Sequence, residues 1–300
     1  MAKRSAARNL IEYAALRVAL GVTAIAPDPV AHWFAQRCFR TLDSLVPKLR
    51  RAARTNLEFA MPQLSGNDRD LVIDGVFGSL AAMMVAFSRF PQIDASNVDR
   101  WIRYEGYEHF ERALVKGSGV LFATAHMGNW ELSAFSHALM SRPMHVVVRP
   151  LDNPLIDQFV EQRRSLSGNR IIGKKDYVRS ILTALRSNEA VGVLIDQNES
   201  PDRGVFVEFF GKKACAGHAF VRLAWKANAT VIPGFALWSR EEQKYILRFY
   251  APVEMTGDPQ ADTQALHCVL EQVIRDYPDQ WLWIHRRWKT RPEGEPPIYS

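Results

Sequence analysis

The spacing of apolar residues changes character near residue 101. Before that point, residues 29–60 and 67–90 repeat apolar positions with helical spacing, and the stretch 75–88 is apolar nearly all round. After it, short apolar runs of strand length alternate with helical segments. The predicted strands are residues 119–125, 145–148, 190–195, 205–210, 230–237 and 245–250, and the predicted helices are residues 130–141, 153–166, 177–186, 217–228 and 262–277. This alternation predicts an α/β fold, in which a βαβ sheet carries helices on both faces.

Reactive side chains come directly after three of the predicted strands. His126 follows the first, Arg149 the second, and Asp196 with Gln197 the third. Ligands of open α/β sheets bind beyond the carboxyl ends of the strands. We therefore expect a base, a cation and a carboxylate at one edge of the sheet.

His126 and Glu131 are close enough in sequence to form a general base with an orienting carboxylate. A structural interpretation is also open: Asn129 caps the next helix, Glu131 lies in its first turn, and His126 only ends the strand. The sequence contains no GxSxG, GxGxxG, P-loop or HExxH motif. These residues favour acid–base chemistry without a metal ion.

Composition places the chain among ordinary globular proteins, with 47% apolar and 23% charged residues. Its three cysteines, Cys38, Cys215 and Cys268, lie far apart and form no CxxC pair. That pattern gives neither a disulfide framework nor a zinc site, and it is typical of a reducing compartment.

Positive charge is concentrated at the amino end. Residues 1–54 contain ten basic and three acidic side chains, an excess of +7, whereas the other 246 residues carry a net charge of −1. The same end holds the apolar run 18–27, which is short for a membrane-spanning helix. The pattern predicts that residues 1–28 associate with an anionic membrane surface, and an ordinary soluble helix is the alternative.

Five sequence blocks resemble one known family. Residues 126–131 (HMGNWE) are similar to the H-x4-D/E motif of the glycerolipid acyltransferase superfamily, and their surroundings resemble the lipid A late acyltransferases. The other blocks, in the order of that family, are residues 148–154 (VRPLDNP), 196–197 (DQ), 204–211 (GVFVEFFG) and 281–292 (WLWIHRRWKTRP). Glu208 departs from the family pattern, which has proline there, and residues 212–216 form a loop that the family does not share.

The resemblance implies a glycerol-3-phosphate-acyltransferase-like βαβ core. Residues 29–300 would form one acyltransferase domain, helical over 29–95 and α/β over 96–292, preceded by the membrane-associating segment 1–28. The enzyme would act at the cytoplasmic face of the inner membrane.

The resemblance also implies the reaction. An O-acyltransferase of this kind moves a fatty acyl chain from a carrier thioester to a hydroxyl of a lipid A precursor, with His126 as general base oriented by Glu131. It needs no cofactor or metal; acyl carrier protein delivers the donor, with acyl-CoA as the second choice, and the acceptor is an anionic glycolipid. Candidate oxyanion or substrate-binding residues are Arg149, Gly128, Asn129, Asp196, Gln197, Arg163, Arg164 and Arg203.

Other assignments stay open at this stage. Within the class, the acceptor is another glycolipid or a lysophospholipid; outside it, the protein is a non-enzymatic membrane-surface or nucleic-acid-binding protein. The basic segment 286–291 contains Trp288 and follows Trp281 and Trp283. It fits nucleic acid or a membrane interface, and the resemblance favours the membrane. Residues 75–88 and 120–122 are candidates for an acyl-chain pocket, and further cations expected at the sheet edge are Lys174, Lys175, Lys212 and Lys213.

Overall fold

The first part of the chain is helical. The computed structural model describes residues 5–173 and 177–299. Its first four helices are α1 (Ala6–Ile25), α2 (Asp28–Leu45), α3 (Pro47–Ala60) and α4 (Gly66–Ser88). The single helix predicted over residues 29–60 is therefore two helices. Pro47 causes the break, because proline lacks the N–H of a continuous helix and disfavours helical backbone at Val46, whose φ is −126°.

The rest of the described chain is mixed α/β. Its strands are β1 (Ile102–Glu105), β2 (Val120–Thr124), β3 (His145–Val147), β4 (Arg170–Ile172), β5 (Ala190–Leu194), β6 (Gly204–Phe209), β7 (Lys212–Gly217), β8 (Thr230–Ser239) and β9 (Lys244–Phe249). Its helices are α5 (Tyr107–Lys116), α6 (Trp130–Met140), α7 (Pro154–Ser165), α8 (Tyr177–Arg186), α9 (Ala219–Ala227) and α10 (Pro259–Asp276). Seven strands form one sheet in the order β1-β9-β8-β2-β5-β3-β4, with β8 and β9 antiparallel and the other neighbours parallel. The predicted α/β class is confirmed in this form.

Strand β2 is buried on both faces, as its unbroken apolar sequence requires. Val120 and Phe122 pack in a cluster with residues of α5 and α6. Leu121 and Ala123 point the other way, into a cluster with residues of α8 and α9. The sheet is thus covered by helices on both sides, and β2 lies near its centre.

Residues 212–216, expected to be a loop, are instead strand β7, which pairs with β6 in an antiparallel hairpin. Phe210 and Gly211 form its two-residue turn with φ values of 54° and 69°. Two successive positive φ angles are the geometry that joins twisted hairpin strands tightly. The segment pairs because the turn returns the chain directly onto β6.

The tryptophans of the carboxyl-terminal block lie in the protein interior. Trp281, Trp283 and Trp288 are buried in one cluster with apolar residues of α3, α4 and the β6–β7 hairpin. Arg287 is buried with them and donates to the carbonyl oxygen of Cys215 at 2.6 Å. The prediction that these tryptophans lie at a membrane interface is therefore wrong: they fill the gap between the helical part and the sheet.

One described helix, α4, is long and apolar enough to cross a membrane by length and composition, and 44% of its most apolar window is buried. It packs against α1, α2 and α3. The residues of α4 considered for an acyl-chain pocket are part of this helical packing.

Candidate active site

His126 lies in the loop that follows β2, beside the end of β5. The two strands are parallel neighbours with Thr124 opposite Leu194, so the chain delivers His126 and Asp196 side by side, two residues beyond that pair. Nδ1 of His126 lies 2.9 Å from Oδ1 of Asp196, and the His126 backbone N–H donates to Oδ2 at 3.0 Å. The register of the sheet thus builds a histidine–aspartate pair.

This contact determines which imidazole nitrogen can act as a base. A carboxylate accepts hydrogen bonds, so neutral His126 carries its proton on Nδ1 and donates it to Asp196. The lone pair is then on Nε2. Nε2 of Gln197 lies 3.4 Å from that atom. The arrangement has the geometry of a general base with its orienting acid.

Asp196 is buried and well supplied with donors. Besides its two contacts with His126, it accepts a hydrogen bond from the indole N–H of Trp281 at 2.9 Å. Burial by itself would raise the pKa of Asp196, but the charge of His126 and these hydrogen bonds outweigh it and lower the pKa to about 2. The carboxylate is therefore ionised throughout the physiological pH range.

The electrostatics of His126 favour a proton acceptor. Burial lowers its pKa, yet the charge and hydrogen bond of Asp196, together with the charge of Glu131, outweigh burial and raise the pKa above its ordinary value. A more basic imidazole accepts a proton from a hydroxyl more readily, at the cost of being protonated in mildly acidic solution.

Glu131 does not hold the His126 ring, contrary to the expectation from the sequence. Its carboxylate forms a two-pronged ion pair with Arg164 of α7, at 2.8 Å to Nε and 2.5 Å to Nη2. The reason is positional: Glu131 lies in the first turn of α6, which packs against α7, whereas Nδ1 of His126 faces β5. Glu131 acts on His126 through its charge.

A cavity of about 930 Å³ opens at the histidine and extends along the sheet beneath α6. Its polar mouth is lined by His126, Glu131, Arg149, Arg164, Gln197 and Arg203. Its apolar arm is lined by Phe122, Phe135, Met144, Val146, Leu247 and Phe249. Of the two candidate acyl-chain segments, Phe122 lines this arm and residues 75–88 do not. A polar reaction centre therefore adjoins an apolar space.

Glycines on two strands widen the apolar arm. A Cβ on Gly192 would lie 2.7 Å from Cε of Met144, and one on Gly234 would lie 2.9 Å from Cδ1 of Phe249. Both distances are too short for carbon atoms, so any larger residue would force these cavity-lining side chains to move.

Several predicted binding residues have other tasks. Arg163 donates to the carbonyl oxygen of Ser88 at 2.9 Å and so joins α7 to the end of α4. The N–H of Gly128 donates to Gln280 O at 2.8 Å, and the N–H of Asn129 donates to Ala236 O at 2.9 Å. Both amides are therefore occupied and cannot stabilise an oxyanion, which corrects that prediction.

The remaining predicted residues divide by position. Asn129 caps α6, its side chain accepting from the N–H of Leu132 at 3.0 Å, as the structural interpretation proposed. Lys212 and Lys213 belong to β7 and are not among the residues that line the cavity. Lys174 and Lys175 lie outside the described residues. Among the described residues, no group of three His, Cys, Asp or Glu side chains could hold a metal ion.

The roles of Asp196 and Trp281 exceed what the sequence suggested. The sequence predicts Asp196 only as an oxyanion or substrate-binding residue, and it predicts the carboxyl-terminal tryptophans at a membrane interface. The signal for Asp196 was present, because it follows the strand that turns out to be next to β2. Trp281 carried no such signal, since its contact joins positions 85 residues apart.

The Glu131–Arg164 pair gives a testable prediction. We expect Glu131→Gln to lower the melting temperature, because it leaves a largely buried arginine without its carboxylate. The charge-reversed double variant Glu131→Arg/Arg164→Glu should recover much of that stability, while kcat/KM stays at least about tenfold below wild type, since the charge beside His126 is inverted. Thermal denaturation and a product assay measure the two effects. Reversal of the exposed pair Arg103–Glu242 is the control, and full activity in the first reversed variant would mean that the pair only holds the fold together.

Comparison with known proteins gives a consistent family. A family model described as bacterial lipid A biosynthesis acyltransferase matches residues 1–290. Three relatives from Escherichia coli (strain K12) are similar along most of their lengths. The chain is 30% identical to a lipid A biosynthesis palmitoleoyltransferase over 280 residues, covering 91% of this chain and 89% of the relative. It is 29% identical to a lauroyltransferase over 247 residues (81% and 80%) and 23% identical to a myristoyltransferase over 283 residues (92% and 88%).

Proposed function

The chain belongs to the bacterial lipid A biosynthesis acyltransferase family and is an acyltransferase, and we propose that it transfers a fatty acyl chain from a carrier thioester to a hydroxyl of a lipid A precursor. One observation supports acyl transfer above the others. His126 lines the cavity and donates its Nδ1–H to the buried Asp196, so its Nε2 is available as a base. The named relatives differ in the acyl group that they transfer, so the chain transferred here is a separate question.

In the proposed reaction, Nε2 of His126 removes the proton of the acceptor hydroxyl as that oxygen attacks the thioester carbonyl carbon. Asp196 stabilises the imidazolium that forms. The tetrahedral intermediate then collapses, the carbon–sulfur bond breaks, and the leaving thiolate takes the proton from Nε2. An ester and a free thiol result, and no acyl-enzyme forms.

The cations at the mouth of the cavity are suited to two kinds of negative charge, the oxyanion of the intermediate and the phosphate groups of the acceptor. Because the amides of Gly128 and Asn129 are occupied, we assign stabilisation of the oxyanion to the exposed side chain of Arg149. Arg164 is held in place by Glu131, and Arg203 extends the positive edge, where phosphate groups of an anionic glycolipid would bind. The apolar arm would take the acyl chain of the donor.

We propose that α1 brings this mouth to the membrane. Ile11, Val18 and Ile25 are spaced seven residues apart on α1 and are 70%, 65% and 86% exposed. The inner side of α1 contacts α7, where the Tyr13 and Phe159 rings pack edge to face at 6.3 Å. Since α7 also carries Arg164 at the cavity, the contact between α1 and α7 connects the exposed apolar surface of α1 to the reaction centre. The cytoplasmic face of the inner membrane and an acyl carrier protein donor fit this orientation.

The function is tested with the purified full-length protein, a lipid A precursor that has a free hydroxyl, and acyl donors carried either on acyl carrier protein or on coenzyme A. Mass spectrometry should show the precursor gaining the mass of one acyl group, and the carrier protein donor should react faster. Absence of product with both donors would overturn the proposal. A product formed only from a lysophospholipid or another glycolipid would replace the acceptor that we propose.

The membrane surface of α1 is tested by point substitutions. We expect Ile11→Ser/Val18→Ser/Ile25→Ser to release the protein from membranes in a high-salt wash that leaves wild type bound, because salt screens charge but not apolar insertion. Each apolar side chain contributes about 1.5–3 kcal/mol when fully buried, so even partial insertion of three predicts at least about a tenfold change in partitioning. Val115→Ser, on α5 and 88% exposed, is the matched control. Equal retention of the triple variant and wild type would contradict membrane contact by this surface.

A further inference from the structure

His137 is an unusual residue to find in the apolar arm of the cavity. It lies on α6, is 1% exposed, and lines the cavity together with Phe122 and Phe249. Its ring is surrounded by aromatic side chains, with centroids 4.8 Å from Phe110, 5.4 Å from Phe122 and 5.8 Å from Phe249. The imidazole of His137 is therefore a polar group in an otherwise apolar part of the cavity.

Of the two nitrogens of this ring, only one has a hydrogen-bond partner among the residues that the structure describes. Nδ1 lies 2.6 Å from the hydroxyl oxygen of Tyr104, whereas Nε2 is buried and has no hydrogen-bond partner among the described residues. Burial, with the charge of Arg142, lowers the pKa of His137 to about 3, so the ring is neutral. Buried polar atoms are nearly always paired, and an unpaired one calls for an explanation.

The position of His137 relates it to the reaction centre. Phe122 lies on β2 two residues before the strand ends at Thr124, and His126 follows that end by two residues. At about 3.3 Å per extended residue, the layer that contains His137 is therefore at most roughly 13 Å below the base. An acyl chain whose carbonyl carbon lies next to the acceptor hydroxyl at Nε2 of His126 would extend down this arm and pass its middle or far carbons beside His137.

We propose that Nε2 of His137 is a recognition point for a hydroxyl group on the acyl chain, so that the donor of this enzyme is a hydroxyacyl thioester. The inference rests on the proposed acyl transfer and specifies its substrate class. A hydroxyl both donates and accepts, so it pairs with Nε2 whichever tautomer His137 adopts. An unsubstituted chain would instead bury Nε2 against methylene groups.

The test compares hydroxylated and unsubstituted donors of equal carbon number, on the same carrier and with the same acceptor. A panel that moves the hydroxyl along the chain should contain one position at which wild-type kcat/KM exceeds that of the unsubstituted donor by at least about tenfold, because sites built to bind a hydroxyl discriminate against chains that lack it. Equal values across the panel would overturn the proposal.

Variants separate recognition from packing. Tyr104→Phe/His137→Phe removes both partners of the hydrogen bond together and leaves no orphaned group, so folding can be checked by its melting temperature. Its preference should fall to about one or reverse in favour of the unsubstituted chain. Met144→Leu changes the shape of the same arm without removing a polar group and should keep the preference. A preference that survives in the double variant would show that His137 does not recognise the hydroxyl.

Failure of this inference is distinguishable from failure of the proposed function. If no donor of either kind yields an acylated product, the acyl transfer itself is wrong. If unsubstituted donors react and the hydroxylated ones gain nothing, only the role of His137 is wrong.

Discussion

Replacing His126 with alanine should lower kcat/KM for acyl transfer by about 10²–10⁴-fold, the contribution that a positioned general base makes. Without the imidazole, the acceptor hydroxyl must attack the thioester while it still holds its proton. The fold should persist, because the backbone N–H of residue 126 and the indole of Trp281 still donate to Asp196. Mass spectrometry of product formation measures the loss, and circular dichroism checks the fold.

A graded control strengthens this test. Gln197→Ala removes only the amide near Nε2, whose separation of 3.4 Å indicates a weak contact, and should cost a few-fold at most. If the folded His126→Ala protein retained a tenth or more of wild-type activity, His126 would not be the base.

Replacing Asp196 with asparagine should cost a similar factor near neutral pH, about 10²–10⁴-fold in kcat/KM. An amide cannot stabilise the imidazolium by charge. Its NH₂ group also favours the tautomer with the proton on Nε2, which removes the lone pair that the reaction needs. The double variant with His126→Ala should be little worse than either single variant, because the two residues act as one unit.

The pH dependence gives the sign of the interaction. In wild type, kcat/KM should rise as the pH increases through a pKa above 6.5, because only the neutral imidazole is a base and Asp196 raises that pKa. Removing the negative charge in Asp196→Asn should move this limb to lower pH. The ratio of wild-type to variant activity should therefore shrink as the solution becomes more acidic. A limb that stays in place or moves upward would mean that Asp196 does not set the charge of His126.

These two residues also show how far local patterns reach. The apolar runs identified β2 and β5, and the rule that ligands bind at the carboxyl ends of strands pointed to both His126 and Asp196. Proximity in sequence favours Glu131 as the orienting acid. The adjacency of β2 and β5 instead brings Asp196 to the ring, across 70 positions.

Other differences have the same origin. The prediction of one helix over residues 29–60 overlooked Pro47, a local helix-breaking signal that the sequence does contain. By contrast, β7 has only small apolar residues and β4 is only three residues long, and both exist because a neighbouring strand pairs with them. Strand formation of this kind depends on the partner more than on intrinsic preference.

The sequence by itself determined the α/β class, the strands with continuous apolar runs, and the position of a histidine and a carboxylate at strand ends, because these follow from short-range periodicity and from general rules of sheet topology. Only the tertiary structure decided which acid holds His126, that Glu131 pairs with Arg164, that Trp281 is buried against Asp196, and that His137 stands in the cavity. The physical reason is that hydrogen bonding and burial depend on which segments become neighbours. Strand order, register and helix packing determine those neighbours, and they join residues that are too far apart in sequence for a local pattern to relate them.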